Sequence, residues 1–123
     1  MLATRKAYVG LAWLFVLGVA VQFFLAGLGD LGGESFEAHD AFGNVLTIVT
    51  VVLLVIAVAG RMGRVIIGGS AVLFLLVFLQ SLWVQEFEDE VLGSIHVLAA
   101  LFIFALGHYL AQRATRAPRA VAV

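Results

Sequence analysis

The chain has 123 residues, 63% of them hydrophobic and 12% charged, with a mean hydropathy of +1.13. A soluble domain is only about half apolar, so too little polar surface remains to cover a water-soluble globule, and the expected class is a small, single-domain integral membrane protein. The absence of cysteine excludes disulfides, zinc–thiolate sites, iron–sulfur clusters and covalent c-type haem attachment. The net charge of −1 says little, but its distribution along the chain says much.

Arg5 and Lys6 precede an apolar run from Ala7 to Gly29, interrupted only by Gln22. It exceeds the roughly 20 residues that cross a bilayer. A signal peptide has the same basic start, but its apolar core is about 7–15 residues; the run is read as the first spanning helix. Asp30 to Glu37 is expected to be a loop, with Gly29, Gly32 and Gly33 permitting the turn. Ser35 is the expected N-cap of a second helix over 36–60, with Glu37 and Asp40 complementing its positive end. The basic turn Arg61-Met-Gly-Arg64 leads to a third helix over 65–84. A second acidic loop, Gln85 to Glu90, leads to a fourth helix over 91–112, followed by a tail carrying Arg113, Arg116, Pro118 and Arg119.

All seven Lys and Arg lie at the N-terminus, in the 61–64 turn or in the C-terminal tail, and all eight Asp and Glu lie in or just after the other two loops. The positive-inside rule then puts both termini in the cytoplasm and both acidic loops outside. Short connections make neighbours antiparallel, so the fold class is all-α: an up-down-up-down four-helix bundle, multi-pass in the inner or plasma membrane.

A faint repeat runs through the chain. Lys6 to Gln22 and Arg64 to Gln80 are each 16 residues; Gln22 to His39 is 17 and Gln80 to His96 is 16. It implies two hairpins related by a pseudo-twofold axis along the membrane normal, pairing His39 with His96 and Gln22 with Gln80. Histidine inside a membrane segment is costly and points to function. With helix neighbours roughly 10 Å apart, the second and fourth helices stand about 14 Å apart on the diagonal, and two imidazoles each about 2 Å from a central metal bridge such a gap. The expectation is one haem b, ligated by His39 and His96 on the extracytoplasmic side. Gly43 and Ala100, each four residues past a histidine, leave flat space on the same face. Phe23, Phe24, Phe42 and Trp83 are candidate walls, and Ala99 is a second small residue near His96. Gln22 and Gln80 are expected to orient the imidazoles or meet the propionates, with Ser35, Asn44, Ser81 and Ser94 as further candidates. With both axial positions filled, electron transfer or haem-linked sensing follows rather than oxygen chemistry.

Other readings stand beside this one. The histidines lie about one turn from water and would, singly, be interface residues; two glutamines alone are ordinary interhelical partners. The chain would then be a non-catalytic accessory or assembly subunit of a membrane complex, or a quinone- or metal-binding module. The acidic residues offer a weak Zn²⁺ site with the histidines, but no tight ligand spacing supports it. No Lys or Arg lies on the outer side to meet propionates. His108, about 18 Å deeper than His96 and some 120° around the helix, is read as a helix-end residue, with a quinone or subunit contact as the alternative. The bilayer is the expected partner, a larger respiratory complex or a homo-oligomer a further one, and nucleic acid is not expected. No nucleotide-binding or hydrolase motif is present.

The motifs Val21-Gln-Phe-Phe-Leu-Ala-Gly-Leu-Gly29, Phe36-Glu-Ala-His-Asp-Ala-Phe-Gly43, Leu79-Gln80 and Ile95-His96-Val97 resemble a family of small four-helix bacterial membrane proteins catalogued as a domain of unknown function. The resemblance implies the four-helix topology and no particular activity. More loosely, paired histidines on antiparallel membrane helices resemble the di-haem b-type cytochromes of the b561 kind. Those carry two histidine pairs; this chain has one, which speaks against a two-haem path across the membrane.

Overall fold

The computed structural model describes residues 2–33, 35–86 and 90–116, with the side chains of Asp30, 83–86 and 90–93 outside the description. Four helices account for nearly all of it: α1 (Leu2–Gly32), α2 (Glu37–Ala59), α3 (Arg64–Glu86) and α4 (Glu90–Arg116). Each is long and apolar enough to cross a membrane. The chain is a multi-pass membrane protein by the length and composition of these helices.

The helices form a ring in which α1 packs on α2, α2 on α3, α3 on α4 and α4 on α1. That ring leaves α1 opposite α3 and α2 opposite α4. One inward stripe per helix explains the packing. On α1 it is Tyr8, Ala12, Phe15 and Val19; on α2 Leu46, Thr50, Leu53 and Ala57; on α3 Ile66, Ser70, Leu73 and Val77; on α4 Ile103, Leu110 and Ala114, all buried. The spacing alternates three and four residues, the pattern that keeps one seam facing a neighbouring helix. The opposite faces expose Leu14, Leu17, Phe24, Ile48, Val55, Leu101 and Phe102. Such a coat is costly in water and suited to lipid.

Close approach depends on glycine at three crossings. A Cβ at Gly18 would meet Leu46 at 2.6 Å, one at Gly69 would meet Leu110 at 2.6 Å, and one at Gly107 would meet the Phe15 ring at 2.9 Å. Buried hydroxyls bond back to their own helix: Ser70 to the Ile66 carbonyl at 2.8 Å, Thr47 to Gly43 at 3.1 Å and Ser81 to Val77 at 3.0 Å. Each of these hydroxyls is thereby satisfied within its own helix.

At the arginine end, the Arg5 guanidinium donates to the Ala114 carbonyl from Nε at 3.0 Å and Nη2 at 2.8 Å. It closes α1 onto the last turn of α4, where helix carbonyls lack partners. One turn deeper, the fully buried Tyr8 hydroxyl meets Ser70 Oγ at 2.8 Å across the α1–α3 diagonal. Ser70 donates onward to Ile66, so the tyrosine is the donor here.

The ends differ from the sequence reading. Helix α1 continues through Asp30 to Gly32 rather than stopping at Gly29, and the turn falls at Gly33, whose φ of +70° favours glycine. Ser35 does not cap α2. Phe36 holds the N-cap position without a side-chain cap bond, its ring packed against Gly29. That contact wins over a hydroxyl cap because Gly29 lacks a side chain. Helix α4 runs on to Arg116, one turn past Gln112.

Candidate functional site

The apolar stripes turn polar at the end away from Arg5. Continuing the same spacing, α1 places Gln22 and Ala26 inward after Val19. Helix α2 places His39 and Gly43 before Leu46, α3 places Gln80 after Val77, and α4 places His96 and Ala100 before Ile103. Between them lies a cavity of about 220 Å³, lined by these residues with Asp40, Asn44 and Ser81, and floored by Phe15, Leu46, Val77 and Ile103. Gly43 and Ala100 line it at stripe positions with little or no side chain, and Gln22 Nε2 reaches to within 3.0 Å of where a Cβ at Gly43 would stand.

His39 and His96 face each other across the α2–α4 diagonal, ring centroids 6.1 Å apart at an interplanar angle of 62°. The Phe36 ring stands edge-on to His39 at 6.2 Å. The glutamines make matched contacts: Gln22 Nε2 donates to the His39 carbonyl at 3.0 Å, and Gln80 Nε2 to the His96 carbonyl at 3.3 Å. The landmark repeat therefore corresponds to the same contact made twice.

The two imidazoles are held differently. His39 Nδ1 lies 3.2 Å from the Gln22 carbonyl oxygen. A carbonyl only accepts, so Nδ1 carries the proton and the Nε2 lone pair is available. His96 Nε2 instead lies 3.2 Å from Gln80 Nε2. That amide nitrogen also donates to a backbone carbonyl, so it is the NH₂ group and His96 Nε2 accepts. A neutral His96 then carries its proton on Nδ1, which is buried without a partner among the described residues. The side-chain oxygens of Gln22 and Gln80 are also buried, with no partner among the described residues. Three orphaned polar atoms around one cavity are a costly arrangement.

The structure brings together His39, His96, Gln22, Gln80, Gly43 and Ala100, with Phe23, Asn44 and Ser81 among the lining residues. Phe24 is not a wall; it is 64% exposed on the outer surface. Phe42 packs against the core beside Gly18. Ser35 and Ser94 are exposed, outside the lining. The Trp83 side chain lies outside the described residues, as do Glu34, Glu88, Asp89 and the side chains of Asp30, Glu86 and Glu90. Among the described residues no three His, Asp or Glu side chains gather as a metal site, so the Zn²⁺ alternative gains nothing. His108 stands apart, bonded to Gln112 at 3.0 Å, stacked on Phe104 and edge-on to Trp13. Sequence reasoning missed the backbone carbonyls as partners of the glutamines and of His39. The three–four stripe was the signal for Val19, Ala26 and Val77 as lining.

Residues 22–86, more than half of the chain, match a family of unknown function, DUF6220, and the chain belongs to that family. The match covers Gln22, His39, Gly43 and Gln80 and stops before His96 and Ala100. No curated protein and no solved structure matches the chain, so the likeness to b-type cytochromes finds no support there.

Proposed function

We propose that the chain is a membrane haem b protein whose iron is ligated by His39 and His96, serving electron transfer or haem-linked sensing. The observation that carries this is the 6.1 Å between the two ring centroids. Two imidazoles on opposite sides of one metal stand about 6 Å apart, from ~2 Å metal–nitrogen bonds plus about 1 Å from each nitrogen to its ring centre. With no third ligand gathered among the described residues, two histidines suit a metal that brings its remaining ligands with it. Haem does so, and supplies one-electron redox chemistry when bound.

The donor set fits; the space fits only after side chains move. At about 220 Å³ the cavity is smaller than a haem macrocycle. Gln22 and Gln80 must swing aside, each releasing hydrogen bonds worth roughly 0.6 kcal/mol apiece inside a membrane protein. The carbonyls they leave are inside helices α2 and α4 and keep their helical bonds. Gly43 and Ala100 then allow a flat group beside each histidine. The segregation of charge supports an up-down-up-down topology with both termini cytoplasmic and this site on the outer side.

Absorption spectra of the detergent-purified protein, expressed with haem supplied and read oxidised and dithionite-reduced, test the reading. A sharp reduced α-band is expected, with low-spin character lost in both His39→Ala and His96→Ala. A folded protein that stays colourless and takes up no added haem refutes it. A subunit that co-purifies in stoichiometric amount would then identify an accessory role.

A further inference from the structure

We infer that the cavity is a binding site for a hydroquinone: a single aromatic ring carrying two neutral hydroxyls. This goes beyond the haem reading and does not rest on it. Haem needs Gln22 and Gln80 to swing aside, whereas a hydroquinone matches the volume and the polar atoms of the site as they stand. The two ligands would compete for one place.

Size selects one ring. A buried apolar cavity of about 150 Å³ accepts benzene, and this one, at about 220 Å³, has the volume for a benzene ring with its two hydroxyls. Phe15, Leu46, Val77 and Ile103 give the ring an apolar floor.

The polar atoms select the substituents. Two acceptors, Gln22 Oε1 and Gln80 Oε1, are buried with no partner among the described residues, and so is His96 Nδ1. Because the Gln80 amide donates to His96 Nε2, Nδ1 carries the proton and is a donor. His39, whose Nδ1 proton goes to the Gln22 carbonyl, adds the lone pair of Nε2 as a third acceptor. A ligand that satisfies this set brings at least two donors and one acceptor. A phenolic hydroxyl is both, so a ring with two of them can meet both amide oxygens and keep a lone pair for the His96 Nδ1–H. A quinone has acceptors only; it serves Nδ1–H and leaves both amide oxygens bare. An ammonium serves the oxygens and leaves Nδ1–H bare. An anion finds the Asp40 carboxylate in the lining and no Lys or Arg. Each group left bare keeps its desolvation cost, so the cavity takes the reduced ring in preference to the oxidised one. A free hydroquinone and the head group of a membrane quinol share this chemistry.

The test is equilibrium dialysis of hydroquinone, under anaerobic conditions, against the full chain in lipid nanodiscs prepared without added haem, with empty nanodiscs as the blank. Saturable binding of one ligand per chain is expected, tighter than that of p-xylene, a ring of the same shape without hydroxyls. Gln22→Leu keeps the fold and removes one acceptor. It should bind hydroquinone about fivefold more weakly, the factor one ordinary hydrogen bond is worth, and p-xylene more tightly. Uptake no greater than that of empty nanodiscs overturns the inference, since water then satisfies the three atoms. So does p-xylene binding at least as tightly as hydroquinone, or an affinity for hydroquinone that Gln22→Leu leaves unchanged. A hydroquinone carrying an isoprenoid tail separates the sources: retained binding identifies a membrane quinol, and binding lost with the tail identifies a free ring. A chain that binds hydroquinone and takes up no haem refutes the haem reading alone. One that takes up haem and binds no hydroquinone refutes this inference alone.

Discussion

Replacing Gln22 with leucine tests whether the site is a strained, ligand-awaiting pocket or an ordinary interhelical contact. The Gln22 side chain makes one hydrogen bond, to the His39 carbonyl at 3.0 Å, and buries an amide oxygen that has no partner among the described residues. Losing that bond costs roughly 0.6 kcal/mol in a membrane interior, and no new orphan appears, because the carbonyl sits within helix α2. Removing the unpaired oxygen returns about 1–3 kcal/mol. Gln22→Leu is therefore expected to stabilise the ligand-free protein by about 1 kcal/mol. Gln80→Leu differs. It also removes an unpaired oxygen, but it takes the donor away from His96 Nε2, creating one orphan as it removes another. The two orphan terms cancel, and the two lost bonds, at roughly 0.6 kcal/mol each, leave Gln80→Leu destabilised by about 1 kcal/mol. Unfolding in mixed micelles, followed by tryptophan fluorescence, measures both. Gln22→Leu less stable than wild type would refute the reasoning, since its oxygen would then have a satisfying partner.

The remaining predictions concern the anchor, the crossings, the charge and the topology. Ser70→Ala strands the buried Tyr8 hydroxyl and should cost about 1–3 kcal/mol, more than Tyr8→Phe, which leaves Ser70 bonded to Ile66; equal losses in the same unfolding assay would contradict the donor assignment. Gly107→Ala should destabilise by roughly 1–3 kcal/mol through its clash with Phe15, whereas Gly10→Ala, with nothing within 4 Å, should stabilise by about 0.5–1 kcal/mol. In the haem-loaded protein Asp40→Asn should raise the reduction potential by on the order of 50 mV, the effect of a unit charge ~10 Å away at an effective dielectric near 30; potentiometric titration reads it, and an unchanged potential argues against haem beside Asp40. Because the chain has no cysteine, single cysteines report sidedness cleanly. An impermeant maleimide on intact cells should label Ser35→Cys and reach Arg61→Cys only after permeabilisation, and the reverse pattern would invert the orientation.

Much of the architecture is legible in the sequence because bilayer thickness and charge segregation act on whole segments. Four runs of the right length gave four helices, and the spacing from Gln22 to His39 and from Gln80 to His96 marked contacts that both form. The helix ends were less legible. Arg5 belongs inside α1 because a long guanidinium reaches the α4 carbonyls, a partner more than a hundred residues away that no local window contains. Ser35 has the chemistry of a cap, yet the packing of Phe36 on Gly29 decides where α2 begins. At the site, residue types announced a polar cluster but not which nitrogen of each histidine is committed. That depends on whether the nearest group is a backbone carbonyl or an amide NH₂, and neither is a property of sequence pattern.

The stripe residues divide the bundle into two halves with different jobs. From Phe15, Leu46, Leu73 and Ile103 toward the arginine end the interior is filled, closed across one diagonal by Tyr8 and Ser70 and tied to α4 by Arg5. From Val19, Gly43, Val77 and Ala100 toward the other end it holds the cavity and, among the described residues, three unpaired polar atoms. Unpaired groups cost stability, and they persist only where packed structure elsewhere offsets them. The filled half offsets that cost, so substitutions there should act on both halves through stability, while substitutions among Gln22, His39, Gln80 and His96 should separate stability from binding. A small ligand that entered between His39 and His96 would meet the packed floor of Phe15, Leu46, Val77 and Ile103 beneath it and would have to leave by the end it entered.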